Sequence, residues 1–211
     1  MAWEKAEDFK DGERMNRRIF LDVGANTGQS LAAALDPIFR FDEIFCFEPV
    51  AWCWKYLEKV IDARVKIEHF GLWNKTCPKL IFDPRSKGGS LWKKDKSLSD
   101  ASELCQFVRV TDWFKENIQA GDTVFLKLNC EGAECDLLDD LLDSGEFAKV
   151  SFVMIDFDVR KITSQKHRQF EILERFRLAG INFPRWASSH QVMVGPTHEA
   201  RIKNWLRVVE A

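Results

Sequence analysis

The sequence predicts an α/β fold: a mostly parallel, Rossmann-like sheet of seven strands flanked by helices. Three observations predict it. Short apolar runs alternate with amphipathic stretches along most of the chain, the pattern of strands covered by helices. The first apolar run passes through a glycine-containing turn directly into a helical stretch, LDVGANTGQS at Leu21 to Ser30. A chain of 211 residues, 45% of them apolar, fills one substantial core and is short for two.

RIFLDV (Arg18 to Val23) is the first strand, and QSLAAAL the helix after its turn, ended with the help of Pro37. EIFCFEP (Glu43 to Pro49) is the second strand. AWCWKYLEKVI follows as a helix, with Trp54, Leu57, Val60 and Ile61 at helical spacing. RVKIEHFGL (Arg64 to Leu72) is the third strand. From Asn74 to Leu104 the rhythm breaks, with Pro78, Pro84, Gly88, Gly89 and many Lys and Ser. This reads as a hairpin or loop insertion forming a lid on the substrate side. LIFD reads as a short strand inside it, and QFVRV (Gln106 to Val110) as another.

The rhythm then resumes. TDWFKENI is a helix with Thr111 as its N-cap. DTVFLKLNC (Asp122 to Cys130) is a strongly apolar strand, and AECDLLDDLLDSG a helix closing at Gly145. VSFVMIDFD is the next strand. SQKHRQFEILERFRLAG is a helix capped by Ser164 and stopped at Gly180. INFPRW and HQVMVG read as a closing pair of strands, and THEARIKNWLRVV as a last helix. Residues 1–211 therefore read as a single domain, with 1–17 a polar lead-in and 74–104 the insertion.

Composition excludes several classes. Lys and Arg (31) nearly balance Asp and Glu (33), so the charge of −2 gives no drive toward nucleic acid or an anionic membrane. No apolar run approaches the roughly 18 residues of a membrane span. The first residues alternate acids and bases and lack the apolar core of a secretory signal. The six cysteines form no CxxC pair and sit largely in apolar runs, as reduced, structural residues do. A cytoplasmic protein with no metal site is the expectation.

The chemistry starts at Asp22-Val-Gly-Ala-Asn-Thr-Gly28. A buried strand delivers an acid, Gly24 permits a tight turn and close backbone approach, and Gly28 starts a helix whose free N–H groups face an anionic group. About twenty residues on, Glu48 ends the second strand, where an acid reaches the two hydroxyls of a ribose. A dinucleotide fingerprint wants GxGxxG. Here Asn26 holds the middle position, and the spacing is GxxxG. That argues against NAD and for an adenosine-type ligand without a diphosphate. S-adenosylmethionine fits, its carboxylate at the helix start and its ammonium near Asp22. The competing readings are a cap at Asp22 and an ordinary strand-end acid at Glu48.

A third element is LKLNCEGAE (Leu126 to Glu134). In an open sheet the crevice lies beyond the carboxyl ends of the strands, so Asn129 and Glu131 face it. Lys127 inside the strand needs a partner, and reads as a paired structural lysine.

With these motifs the chain resembles the FkbM-type methyltransferases, from about Phe20 to Asp158. The resemblance rests on LDVGANTGQS, FEP at Phe47 to Pro49, GLWNKT, GGSL at Gly88 to Leu91, VTDWF at Val110 to Phe114, and LKLNCEGAE. The family pattern in the last is close to K-hydrophobic-D-x-E-G-x-E, with Asn129 here in place of the Asp. The resemblance implies a class I methyltransferase fold, S-adenosyl-L-methionine as cofactor, and methylation of a hydroxyl oxygen of a sugar or other small molecule. It implies cofactor contacts at Asp22, Gly24, Ala25, Asn26, Gly28 and Glu48. Leu72 and Trp73 then lie near the adenine, and Asn129 and Glu131 near the sulfonium and acceptor.

An oxygen acceptor needs a base as its proton leaves, and an amide at 129 cannot serve at neutral pH. Glu131 is the first candidate, Asp156 and Asp158 the next, and His190 a distant one. Glu131, Asn129 and Asp156 thus form the candidate catalytic set. His69, His167 and His198 read as ordinary strand or surface residues. Arg85, Lys87, Lys93, Lys94 and Lys96 with Trp92 read as a solvated loop. Two other functions stay open: a methyltransferase acting on a nitrogen of a protein or nucleic acid, and a non-catalytic cofactor-binding descendant. The strand end LNCEG lacks the [DN]PP[YF] signature of many amino-methylating enzymes.

Overall fold

The computed structural model describes residues 16–84, 89–92 and 101–210. β1 (Arg18–Val23) leads into α1 (Gln29–Ala34), and β2 (Glu43–Phe47) into α2 (Ala51–Leu57). β3 (Val65–Glu68), β4 (Gly71–Trp73), β5 (Cys77–Phe82) and β6 (Ser102–Arg109) follow. Then come α3 (Val110–Asn117), β7 (Thr123–Leu128), α4 (Glu134–Ser144), β8 (Val150–Ile155) and α5 (Arg168–Leu178). β9 (Trp186–Ser188), α6 (Ser189–Val192) and α7 (His198–Glu210) end the chain.

The main sheet has the order β3-β2-β1-β7-β8-β9, and all five pairings are parallel. β1 and β7 are buried on both faces, which is why their sequences run almost continuously apolar. On one face Ile19, Leu21 and Val23 pack with Trp113, Leu137 and Leu141 of the α3–α4 layer. On the other, Phe20 and Phe125 pack with Leu31 of α1 and Ile202, Trp205 and Leu206 of α7. The chain moves outward from β1 through β2 and β3, then returns to β7 on β1's other side. That reversal opens a crevice at the carboxyl ends of β1 and β7, where ligands bind in such sheets.

The expected seventh strand is absent: HQVMVG is not a strand. Ser188 and Gln191 form a reciprocal capping box that starts α6 there instead, satisfying backbone N–H groups a strand would have left to a neighbour. The third strand is also divided. Val65–Glu68 joins the main sheet, while Gly71–Trp73 pairs with β6 in a second, three-stranded sheet of order β4-β6-β5. β5 and β6 form the hairpin expected within the insertion, and Ser90 folds back to exchange two backbone bonds with Phe82. Thr111 lies inside α3 rather than capping it, its hydroxyl donating to Asp140 at 2.6 Å. α5 starts at Arg168, four residues beyond Ser164. The 1–15 lead-in and the basic residues 85, 87, 93, 94 and 96 lie outside the described residues. Among the described residues no helix is long and apolar enough to cross a membrane.

Candidate active site

The turn after β1 is built against β2 and β7. The Gly24 and Ala25 N–H groups both donate to the Phe47 carbonyl at 3.1 Å, and Gly28 N–H to Ala25 at 2.9 Å. Gly24 has φ +79°, and a Cβ there would sit 2.1 Å from the Asn129 carbonyl oxygen. Only glycine fits, but what approaches is the backbone after β7 rather than a ligand. Asn26 also has positive φ (+50°), a conformation Asn tolerates.

Asp22 and Lys127 occupy matched positions on β1 and β7. Both point to the α1–α7 face and both are sealed from solvent. Lys127 Nζ lies 2.8 Å from Asp22 Oδ1, donates to the Gly24 carbonyl at 2.8 Å and approaches the Val23 carbonyl at 3.4 Å. The contact with Asp22 is an ion pair, and neither Asp22 oxygen has a hydrogen-bond partner. Lys127 lines the cleft and Asp22 lies behind it.

Glu48 is held at the end of β2. Its Oε2 accepts from Asn26 N–H at 2.7 Å and its Oε1 from Val50 N–H at 2.9 Å. Burial pushes its carboxyl up to about 6, against the lowering effect of those two N–H groups. The carboxylate faces a cleft of about 1150 Å³, counted out to its open mouth. One end is apolar: Val50, Leu72, Ile81, Leu91, Phe107 and Ala133 line it. The β5–β6 hairpin and the returning 89–92 segment cover this end. Trp52 joins the wall, with its indole N–H on the Pro84 carbonyl. The other end is polar, with Thr27, Gln29, Ser30, Lys127, Asn129 and His198.

The turn after β7 is locked from below. Glu131 (φ +54°) and Gly132 (φ +110°) adopt left-handed backbone. The buried carboxylate of Glu134 accepts from Cys130 N–H and Gly132 N–H, each at 3.1 Å. Burial pushes that carboxyl up to about 8 despite these bonds, with Asp158 adding to the rise. The Ser90 hydroxyl donates to the Glu131 carbonyl, pinning the insertion to this turn. Glu131 lines the cleft, with Lys161 Nζ 3.5 Å from its Oε2. Lys161 also pairs with Asp158 at 2.6 Å. Burial, then the neighbouring Glu131 carboxylate, raises the Asp158 carboxyl.

The expected residues therefore divide. Gly24, Ala25, Asn26, Glu48, Leu72, Asn129 and Glu131 line the cleft. Asp22 is behind Lys127, and Gly28 beneath the turn against Leu57. Trp73 is outside the lining, packed with Phe107, Ile81, Leu91 and Ala133 in the cluster that backs the apolar end. Its indole N–H donates to Asp136 of α4 at 2.9 Å. Asp156 is outside the lining and ion-paired with Arg160 at 3.1 Å, and His190 is exposed on α6. Among the cleft residues that sequence reasoning did not place there are His198, Ser30 and Trp52. His198 arrives on α7, its Nε2 3.0 Å from the Ser30 hydroxyl of α1. Trp52 carried the one available signal, an aromatic four residues after Glu48.

No family model matches the chain, and no curated protein matches it. Among solved structures it is similar to the methyltransferase FkbM from Methylobacillus flagellatus KT, with 18% sequence identity and a TM-score of 0.46. The likeness covers 75% of this chain and 37% of that one, so the chain spans little more than a third of that protein's length.

Proposed function

We propose that the chain is an S-adenosyl-L-methionine-dependent methyltransferase acting on a hydroxyl oxygen of a small molecule. The observation that carries this reading is Glu48. A buried carboxylate ends β2 between an apolar compartment and a polar one, at the point where a nucleoside's ribose spans the two. Its two backbone bonds leave further acceptor sites on both oxygens for a pair of hydroxyls. Val50, Leu72, Ile81 and Phe107 suit a purine, and Asn26 stands where a diphosphate-binding turn carries its second glycine.

The polar end fits the cofactor's amino-acid group. Asn129 Oδ1 is buried there without a partner, an acceptor suited to an ammonium. When bound, S-adenosylmethionine supplies a methyl group already electrophilic on sulfur. The chain's own task is then placement of the acceptor oxygen in line with that methyl, and removal of the acceptor's proton. Glu131 is the residue we assign to the proton. It borders the cleft next to Asn129, and Lys161 bridges it to Asp158, a carboxyl biased toward its protonated form. Asn129 orients the acceptor or cofactor by its amide.

Isothermal calorimetry with S-adenosylhomocysteine tests the reading. Micromolar binding is expected, weakened by an order of magnitude or more in Glu48→Ala, since a site built to hydrogen-bond hydroxyls loses that term. Absence of binding by the wild type overturns it.

A further inference from the structure

α7 packs on the far side of the sheet from the α3–α4 layer, with Ile202, Trp205, Leu206 and Val209 buried against Phe20, Phe125 and Met154. This docking carries the helix's first residue, His198, into the polar end of the cleft. Ser30, on the first turn of α1, meets it there, with Nε2 3.0 Å from the hydroxyl. The charged groups around the imidazole come from four elements. Asp22 of β1 and Asp156 beyond β8 are negative, and Lys127 of β7 and Arg201 of α7 positive. Lys127 is taken up by Asp22 and two carbonyls, and Arg201 Nε donates to the Gly195 carbonyl at 2.9 Å.

The polar end thus offers a buried acceptor without a partner, Asn129 Oδ1, and the hydrogen-bonded Ser30–His198 pair, which becomes a donor pair toward a ligand when the ring is protonated: Nε2–H then donates to Ser30 Oγ and leaves the hydroxyl proton to donate onward. An acceptor beside a donor pair is the complement of an amino-acid zwitterion. We propose that His198 and Ser30 together hold the carboxylate at the amino-acid end of the cofactor, and that His198 takes up a proton from solvent as the carboxylate arrives. The proposal rests on the reading of the cleft as an S-adenosylmethionine site. Burial and the positive charge of Lys127 keep the imidazole below its ordinary pKa while no anion is beside it. A carboxylate at hydrogen-bonding distance reverses that bias.

The test compares two ligands by calorimetry at pH 7: S-adenosylhomocysteine and 5′-methylthioadenosine, the same nucleoside thioether without the amino acid. His198→Ala is expected to weaken S-adenosylhomocysteine about tenfold or more, the size of a charge-assisted hydrogen bond, while 5′-methylthioadenosine binds as in the wild type. Wild-type binding heats in phosphate and Tris buffers should report proton uptake with S-adenosylhomocysteine alone. His198→Gln, which retains a donor toward Ser30, should abolish that uptake, and it replaces His198→Ala should the latter fail to fold. Equal weakening of both ligands, unchanged affinity for both, or no proton uptake by the wild type overturns the proposal. Failure of the wild type to bind either ligand overturns the cofactor reading itself, a distinct result.

Discussion

Asp22 and Lys127, 105 residues apart in sequence, form a buried ion pair of 2.8 Å between neighbouring strands of the sheet, directly behind the Gly24–Gly28 turn. The lysine does more than neutralise the acid, since it also fastens the Val23 and Gly24 carbonyls. Lys127→Met strands a buried carboxylate and is expected to cost about 3–5 kcal/mol in a urea titration. Asp22→Asn combined with Lys127→Met should cost markedly less than the sum of the single changes, because the double variant leaves no buried charge. Additive losses would show that the two side chains do not depend on each other.

Two glycines with nearly the same φ separate backbone strain from packing. Gly24 (φ +79°) has the Asn129 carbonyl 2.1 Å from where a Cβ would stand, and Gly145 (φ +78°) has nothing within 4 Å. Gly145→Ala should cost about 1 kcal/mol, the price of the left-handed conformation, while Gly24→Ala should cost about 3 kcal/mol or more and displace the turn from Asn129. Thermal unfolding measures both. Equal losses would mean that the close approach at Gly24 is not a constraint.

Glu134 gives the fold a pH dependence of known sign. Its carboxyl keeps its proton up to about pH 8 when folded, against an ordinary value of 4.5. The folded protein therefore binds more protons than the unfolded chain between those values. The associated stability is fully present below pH 4.5 and is lost as pH rises through about 8. Removing the titration with Glu134→Gln should flatten the decline, the difference from wild type growing by an amount on the order of 4 kcal/mol across that window. Glu48 contributes with the same sign between 4.5 and about 6, and cancels in the comparison. Denaturant titrations at pH 5, 7 and 8.5 would show the divergence, and parallel curves would refute it.

The strand–turn–helix at Leu21–Ser30 and the acid at Glu48 were legible because their signals are local: a periodicity, two glycines and a spacing. What depends on chain-distant pairing was not. The partner of Lys127 is set by the register of β1 against β7, which no segment encodes alone. His198 reads as an ordinary strand or surface residue until α7 docks across the sheet. Trp73 failed for a different reason. It belongs to the apolar cluster that backs the cleft, but its indole N–H is drawn to Asp136 of α4, so it packs behind the lining rather than in it. In HQVMVG, apolar alternation competed with the Ser188–Gln191 capping box, and the cap prevailed.

The central claim is that Glu48 and the Gly24–Gly28 turn hold a nucleoside cofactor without a diphosphate. Thermal unfolding with S-adenosylhomocysteine and with NAD, each at equal excess, tests it most directly. At a hundredfold excess over Kd a ligand adds about 2.7 kcal/mol, or roughly 5–10 °C for a chain of this size. The account predicts such a rise with S-adenosylhomocysteine, none with NAD, and about half the rise or less with S-adenosylhomocysteine in Glu48→Ala. A rise with NAD alone, or a rise with S-adenosylhomocysteine that persists undiminished in Glu48→Ala, would contradict it.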